Sequence, residues 1–451
     1  MPRVADVLAD GVARAGAVRA FVAPGAPRAL VDAVERRGLV IIQAPDAAAA
    51  CVLAAVTGEL ADAPGVAVAA LGDAAGLSPG ITLAARDRAP LLLLTDAHAD
   101  LALLGPIVKA SLVVEPASAG HWIAHAANLA LTEPRGPVHV ACAPAVAGQS
   151  ALPVATACRP APWPAPSAES LEALGAALAA TRPVIVTGRE CGADDARWVR
   201  AFAESLPAPV LATPKGRGVL AEPHPLSLGL LAPGHPLLAP ADLALLVGVD
   251  AGELAPGALP PALRAARIGR APWPSGLARL VADVVGDIAL IIEELAPRVK
   301  ARPAADWDVA ALDRVKRALG AEAMATPAAR LVRMAREATP AGTVATADVP
   351  LGLAWQAVAP RETLTPLGGH APAGYAIVAA VAAQLADRER RVVAFTTPLG
   401  LAGGGDALGL ARALALPIVV VVLDAVSDDA AFAGDFARAF AGRTPAVVGG
   451  G

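Results

Sequence analysis

The chain has 451 residues, a formal net charge of -4, 55% hydrophobic and 17% charged residues. That length exceeds one ordinary domain, and the apolar content supports large cores and excludes a disordered chain. A near-neutral balance without a Lys/Arg cluster excludes the basic field that nucleic-acid binding needs.

The N-terminal stretch "MPRVADVLADGVARAG" has the pattern of an amphipathic helix and lacks the apolar centre of a secretion signal. The longest apolar run, "LALPIVVVVLDAV", is interrupted by Pro417 and Asp424 and is too short to span a bilayer; it predicts a buried parallel strand. Cys51, Cys142, Cys158 and Cys191 have no paired or metal-binding spacing, which predicts reduced thiols in a cytoplasmic protein with no membrane contact. His121 and His125 stand at i, i+4 without an evident third ligand, and are expected as partly buried helix residues rather than a metal site.

Short aliphatic runs alternate with alanine-rich helical stretches throughout. "AFVAPG", "LVIIQAP", "GVAVAALG", "APLLLLTD" and "GPVHVACAP" come first. The proline-rich "CRPAPWPAPSAES" (158–170) predicts an irregular linker. "RPVIVTG", "PAPVLATPKGRG" and "ADLALLVG" begin a second α/β block, and "ELAPRVKARPAADWD" (294–308) predicts a less ordered second boundary. The expected fold is α/β, with three doubly wound parallel-sheet domains at 1–157, 171–297 and 305–451.

In order and spacing these motifs resemble the thiamine-diphosphate (ThDP) enzymes of the acetolactate synthase, benzoylformate decarboxylase and oxalyl-CoA decarboxylase type. "VRAFVAPGAPRALVDAV", "APGVAVAALGDAAGLSPGITLAARDRAPLLLLTD" and "LALTEPRGPVHVACAP" look like the family's pyrimidine-binding domain. "LATPKGRGVLAEPHPLSLGLL" is very similar to its central domain, and "LTPLGGHAPAGYAIVAAVAAQLADRERRVVAF" looks like the approach to its diphosphate-binding motif. The resemblance implies three domains named for pyrimidine binding, the centre and diphosphate binding, with the last C-terminally shortened, since 26 residues follow Ala425.

The resemblance also implies a set of site positions. The family's glutamate, which hydrogen-bonds the aminopyrimidine of ThDP, falls on Asp46 or, with a one-residue slip, on Ala47; read from the residues alone, Asp46 is a helix N-cap. Counting back from Leu416-Pro417, the family's Gly-Asp-Gly triplet falls on Thr397, Pro398 and Leu399, and its Asn-Asn pair on Asp424 and Ala425. The two side chains expected to ligate Mg²⁺ are thus Pro398 and Ala425, neither with a side-chain oxygen for a hard cation. Asp406 stands 18 residues before Asp424, too close to replace the lost aspartate. It is expected as the N-cap of "DALGLARALALP", after a flexible "LAGGG" loop able to meet an anion through backbone amides.

The resulting expectation is a ThDP-enzyme fold without its metal-diphosphate ligands: no metal, no tightly bound cofactor, and a non-catalytic or regulatory role. Its partner would be a second copy (homodimer or homotetramer) or an active relative. One alternative is a working decarboxylase or carboligase on a 2-keto acid or acyl-CoA, using ThDP and Mg²⁺ with Asp46 and Asp424. Another is a nucleotide-binding protein that uses the central domain, where relatives hold flavin or ADP, with Lys215 and Arg217 on the phosphates.

Overall fold

The structure, a computed structural model, describes residues 1–96, 101–274, 280–300, 305–369, 371–423 and 429–449. Strands β1 (Arg19–Val22), β2 (Val40–Gln43), β3 (Gly65–Val68), β4 (Leu91–Thr95), β5 (Ala110–Val113) and β6 (Pro137–Ala141) form a first sheet in the order β2-β1-β3-β4-β6-β5. A second contains β7 (Pro183–Thr187), β8 (Val210–Ala212), β9 (Ser227–Leu230), β10 (Leu243–Val247), β11 (Arg264–Gly269) and β12 (Leu280–Val285), ordered β12-β11-β10-β7-β8-β9. The third is ordered β14-β13-β15-β16-β17, from β13 (Val344–Ala347), β14 (Thr363–Leu364), β15 (Val392–Thr396), β16 (Val419–Val422) and β17 (Ala446–Val448). All ladders within these sheets are parallel. The expected three-domain α/β fold is therefore present, and Val419–Val422 is the buried parallel strand its aliphatic run implied.

Strand periodicity decides which core each side chain enters. In β4, Leu91 and Leu93 join one cluster while Leu92 and Leu94 join another on the opposite face of the sheet. The first of these clusters does not stop at the domain. It continues through the helices Ala47–Leu60 and Tyr375–Ala386 to Val392, Ala394 and Val420 of the third sheet. The helix Tyr375–Ala386 is buried at every residue but the last. A helix apolar all round belongs between layers, and alanine lets the two helices approach closely. The alanine-rich composition thus builds a sheet–helix–helix–sheet sandwich that unites the first and third domains.

Two expected irregular stretches are partly helical. A helix begins at Ala168, because Ser167 caps it by accepting the Ser170 N–H at 3.1 Å. Another runs from Ile288 to Lys300 with Pro297 inside it, so the chain from 294 onward opens as helix rather than loop. His121 and His125 are exposed rather than partly buried, because their helix buries Ile123, Ala124, Ala126 and Ala127 instead; their rings stack in parallel with centroids 6.2 Å apart. The four cysteines are free and buried, and burial pushes the Cys51 thiol up to about 12.

Candidate functional site

The C-terminal edge of a parallel sheet is where α/β folds place ligands. In the third domain that edge brings together the ends of β13 and β15 and the start of the helix Tyr375–Ala386. Thr396 Oγ1 donates to Asp348 Oδ2 at 2.8 Å, and Thr346 Oγ1 donates to the Ala376 carbonyl at 2.6 Å. Asp348 Oδ1 is buried without a hydrogen-bond partner. Burial raises the Asp348 pKa against the pull of the Thr396 hydrogen bond. Gly374, at φ +82°, precedes the helix, and a Cβ there would stand 2.4 Å from the Gly404 amide nitrogen.

Thr397, Pro398 and Leu399 follow directly. Thr397 is an N-cap whose hydroxyl accepts the Gly400 N–H at 3.2 Å, Pro398 occupies the first helical position, and the helix runs Pro398–Gly403. The Leu399 side chain is 75% exposed. The "LAGGG" run is therefore helical, not a flexible loop. Its amides are bonded internally, Leu401 to the Thr397 carbonyl and Gly404 to the Gly400 carbonyl. Asp406 is not an N-cap either. The next helix, Gly405–Ala413, starts one residue earlier with Gly404 as its cap, and Asp406 lies in its first turn. Asp424 and Ala425 lie outside the described residues.

In the first domain Asp46 caps the helix Ala47–Leu60, accepting the Ala49 N–H at 2.7 Å. One carboxylate oxygen is thereby engaged, and Ala47 begins the helix with no polar side chain.

The central segment expected to hold phosphates does something else. Lys215 is buried and its Nζ donates to Asp87 Oδ2 at 2.7 Å and to both Glu59 oxygens at 3.0 Å. Burial works against the ammonium, yet Asp87 and Glu59 together raise its pKa. Asp87 also accepts the Leu367 N–H of the third domain at 2.7 Å. Arg217 forks onto Glu222 at 2.7 and 2.9 Å and donates to the Trp355 carbonyl. Glu222 accepts the Ala357 N–H at 2.9 Å. Gly218, at φ +78°, has no room for a Cβ because the Ala359 carbonyl lies against it. Lys215 and Arg217 are thus spent in a clasp that ties the second domain to the first and third. They are not free for phosphates, because each is buried against the carboxylates it pairs with.

The strand ends of the second domain are occupied as well. The break between β7 and β10 is the switch point where doubly wound sheets take nucleotides. There Glu253 accepts the N–H groups of Arg189 (3.0 Å) and Asp250 (2.9 Å) and the Thr213 hydroxyl. Burial raises its pKa to about 7, with the Thr213 hydrogen bond opposing. Glu253 forms part of the wall of a cavity of about 810 Å³ that also touches Arg86, Arg88 and Leu367.

Two stretches of the chain match known protein families. The family model for the thiamine pyrophosphate enzyme central domain matches residues 172–295, and that for the C-terminal TPP binding domain matches residues 346–427. Over these two stretches the chain is similar to the thiamine-diphosphate-dependent enzymes. A Mycobacterium tuberculosis protein named as an acetolactate synthase large subunit is 32% identical over 34% of this chain and 31% of its own length. The acetolactate synthase isozyme 1 large subunit of Escherichia coli is 30% identical over 52% of this chain and 44% of its own. The matched regions thus span less than half of each relative. In fold, the chain is similar to a Mycobacterium smegmatis protein described as a thiamin diphosphate-dependent enzyme. Their TM-score is 0.78 at 21% identity, covering 99% of this chain and 98% of that one.

ThDP is held through a diphosphate-bound Mg²⁺, and Mg²⁺ demands an octahedron of oxygens. The described residues at this edge offer one carboxylate, Asp348, already bonded to Thr396. The Thr397 hydroxyl is committed to its helix, and among the described residues no group of three or more His, Cys, Asp or Glu could hold a metal. Pro398, the expected ligand position that lies among the described residues, has no side-chain oxygen. No helix among the described residues is long and apolar enough to cross a membrane.

Proposed function

We propose that this chain is a ThDP-enzyme-fold protein that does not carry its own Mg²⁺-ThDP and acts as a non-catalytic or regulatory subunit. Its partner is a second copy of itself or an active relative. One observation carries the reading. The segment on which the family's metal motif is expected to fall is a helix, Pro398–Gly403, capped by Thr397, with proline at the expected ligand position. A diphosphate there would meet neither a metal ligand nor a counter-charge, and a buried anion without either is costly. Asp46, engaged as a cap, supports the same reading for the pyrimidine side. Both curated relatives are named as large subunits, which suits a chain that works within an assembly.

The competing reading, a decarboxylase or carboligase on a 2-keto acid or acyl-CoA, draws support from one atom, the unpartnered Asp348 Oδ1. Titration calorimetry of the folded protein with ThDP, with and without Mg²⁺, separates the two. No heat of binding up to millimolar ThDP is expected. Micromolar, magnesium-dependent binding would overturn the proposal.

A further inference from the structure

The clasp delivers a turn of the third domain, 358–362, into the junction of all three domains. Glu362 pins it by accepting the N–H groups of Val358 at 2.7 Å and Ala359 at 3.2 Å. The Glu362 N–H returns to the Ala359 carbonyl at 3.4 Å and closes a four-residue turn. Pro360 holds its second position and Arg361 its third, with φ +61°. A positive φ at that position ordinarily calls for glycine or asparagine, so the arginine side chain is retained against backbone strain.

That side chain lines a cavity of about 450 Å³ whose wall also includes Glu59 and Glu133 of the first domain, Trp163 of the connecting segment, and Asp195 and Arg270 of the second. Of the carboxylates there, Glu59 pairs with Lys215, Glu133 with Arg189, Asp195 with Arg270, Glu190 with Arg267, Asp62 with Arg159 and Asp194 with Arg197, while Asp287 accepts the Leu290 N–H at 3.0 Å. Arg361 has no ion pair or hydrogen bond to any described residue. Burial is the main force lowering its pKa; Glu59 and Glu133 oppose it from a distance while Arg189 and Arg135 add to it. Arg361 is half-buried, and a guanidinium without an ion pair on a cavity wall is available to an anion that enters the cavity.

We propose that this cavity is an anion site in which Arg361 takes a small monocarboxylate. The planar fork of the guanidinium fits a carboxylate through two parallel hydrogen bonds. The surrounding acidic wall repels dianions and polyphosphates and so selects a single negative charge. A volume of this size suits a small metabolite. Because the wall draws on three domains, occupancy tightens their junction. The site is independent of whether the chain binds ThDP.

The test is the thermal midpoint of the intact protein in sodium acetate against sodium chloride at equal ionic strength, with sodium phosphate as a third arm. Arg361→Gly removes the charge and suits a φ of +61°, so it folds; Arg361→Lys keeps the charge without the fork. The wild-type midpoint is expected to rise saturably with acetate. The lysine variant should need at least tenfold more acetate, and the glycine variant should not respond beyond chloride. Identical wild-type behaviour in acetate and chloride, or a retained acetate response in Arg361→Gly, overturns the site. Tighter response to phosphate than to acetate overturns the monocarboxylate assignment.

Discussion

His139 lies in the middle of the first sheet, fully buried, with Thr95 Oγ1 2.8 Å from Nε2 and Ser111 Oγ 2.6 Å from Nδ1. Burial lowers its pKa from 6.5 to about 4. The folded value lies below the unfolded one, so the contribution to stability is complete above pH 6.5. It declines as the pH falls, because the unfolded chain takes up the proton first, and is lost through pH 4. The shift corresponds to about 3 kcal/mol at 1.36 kcal/mol per unit. Glu190 and Glu253, each raised to about 7 by burial, titrate in the opposite sense, so the histidine is isolated by difference. Urea unfolding of wild type and His139→Asn across pH 4 to 7 is expected to give stabilities that converge towards low pH. A gap independent of pH would show that the fold does not lower the His139 pKa. At this same scale Asp46 and Asp406 were distinguishable only in part. A single aspartate before a helix reads as a cap in either place, and which residue opens the helix depends on the preceding backbone, here Gly404 instead of Asp406.

Strands are the elements a sequence announces most clearly, because a buried parallel strand is a short continuous aliphatic run. β1, β3, β4, β6, β7, β10, β15 and β16 each lie within such a run. The two-residue β14 and the edge strand β5, whose residues are half-buried or exposed, have no such signature. Helix Pro398–Gly403 escaped for a different reason. Three consecutive glycines, residues 403–405, argue against helix by propensity. Yet Gly400 and Gly404 are required by packing: a Cβ on Gly400 would stand 2.0 Å from Thr396 Oγ1, and one on Gly404 2.7 Å from Ile377. Such a helix, poor in propensity, depends on its cap. Thr397→Ala is expected to cost about 1 kcal/mol. Hydrogen exchange at the Leu401 and Gly404 amides should accelerate while β15 stays protected. Unchanged exchange would mean that packing alone holds the helix.

Three sheets in one chain need not behave as three independent bodies. The shared alanine core joins the first and third domains, and Lys215 and Arg217 lock the second between them. Removing one partner of a buried pair strands the other charge and costs about 3–5 kcal/mol. Calorimetric unfolding of the wild type is therefore expected as a single transition. Lys215→Ala combined with Arg217→Ala should split off a separate, lower-temperature transition for the second domain. A single transition in the double variant would place the cooperativity in the alanine core instead.

The order of aliphatic runs and the linker prolines are properties of the chain itself. Periodicity and proline's missing N–H act locally, so fold class and family resemblance were legible there. The roles of Lys215, Arg217 and Arg361 were not. A basic residue in a glycine-rich segment looks available for phosphate until its surroundings are known. Their partners stand up to 156 residues away in the chain, from Lys215 to Glu59, and only folding brings them within 3.0 Å. Whether a charge is spent or free depends on those long-range neighbours and on the water they displace, which no local pattern encodes.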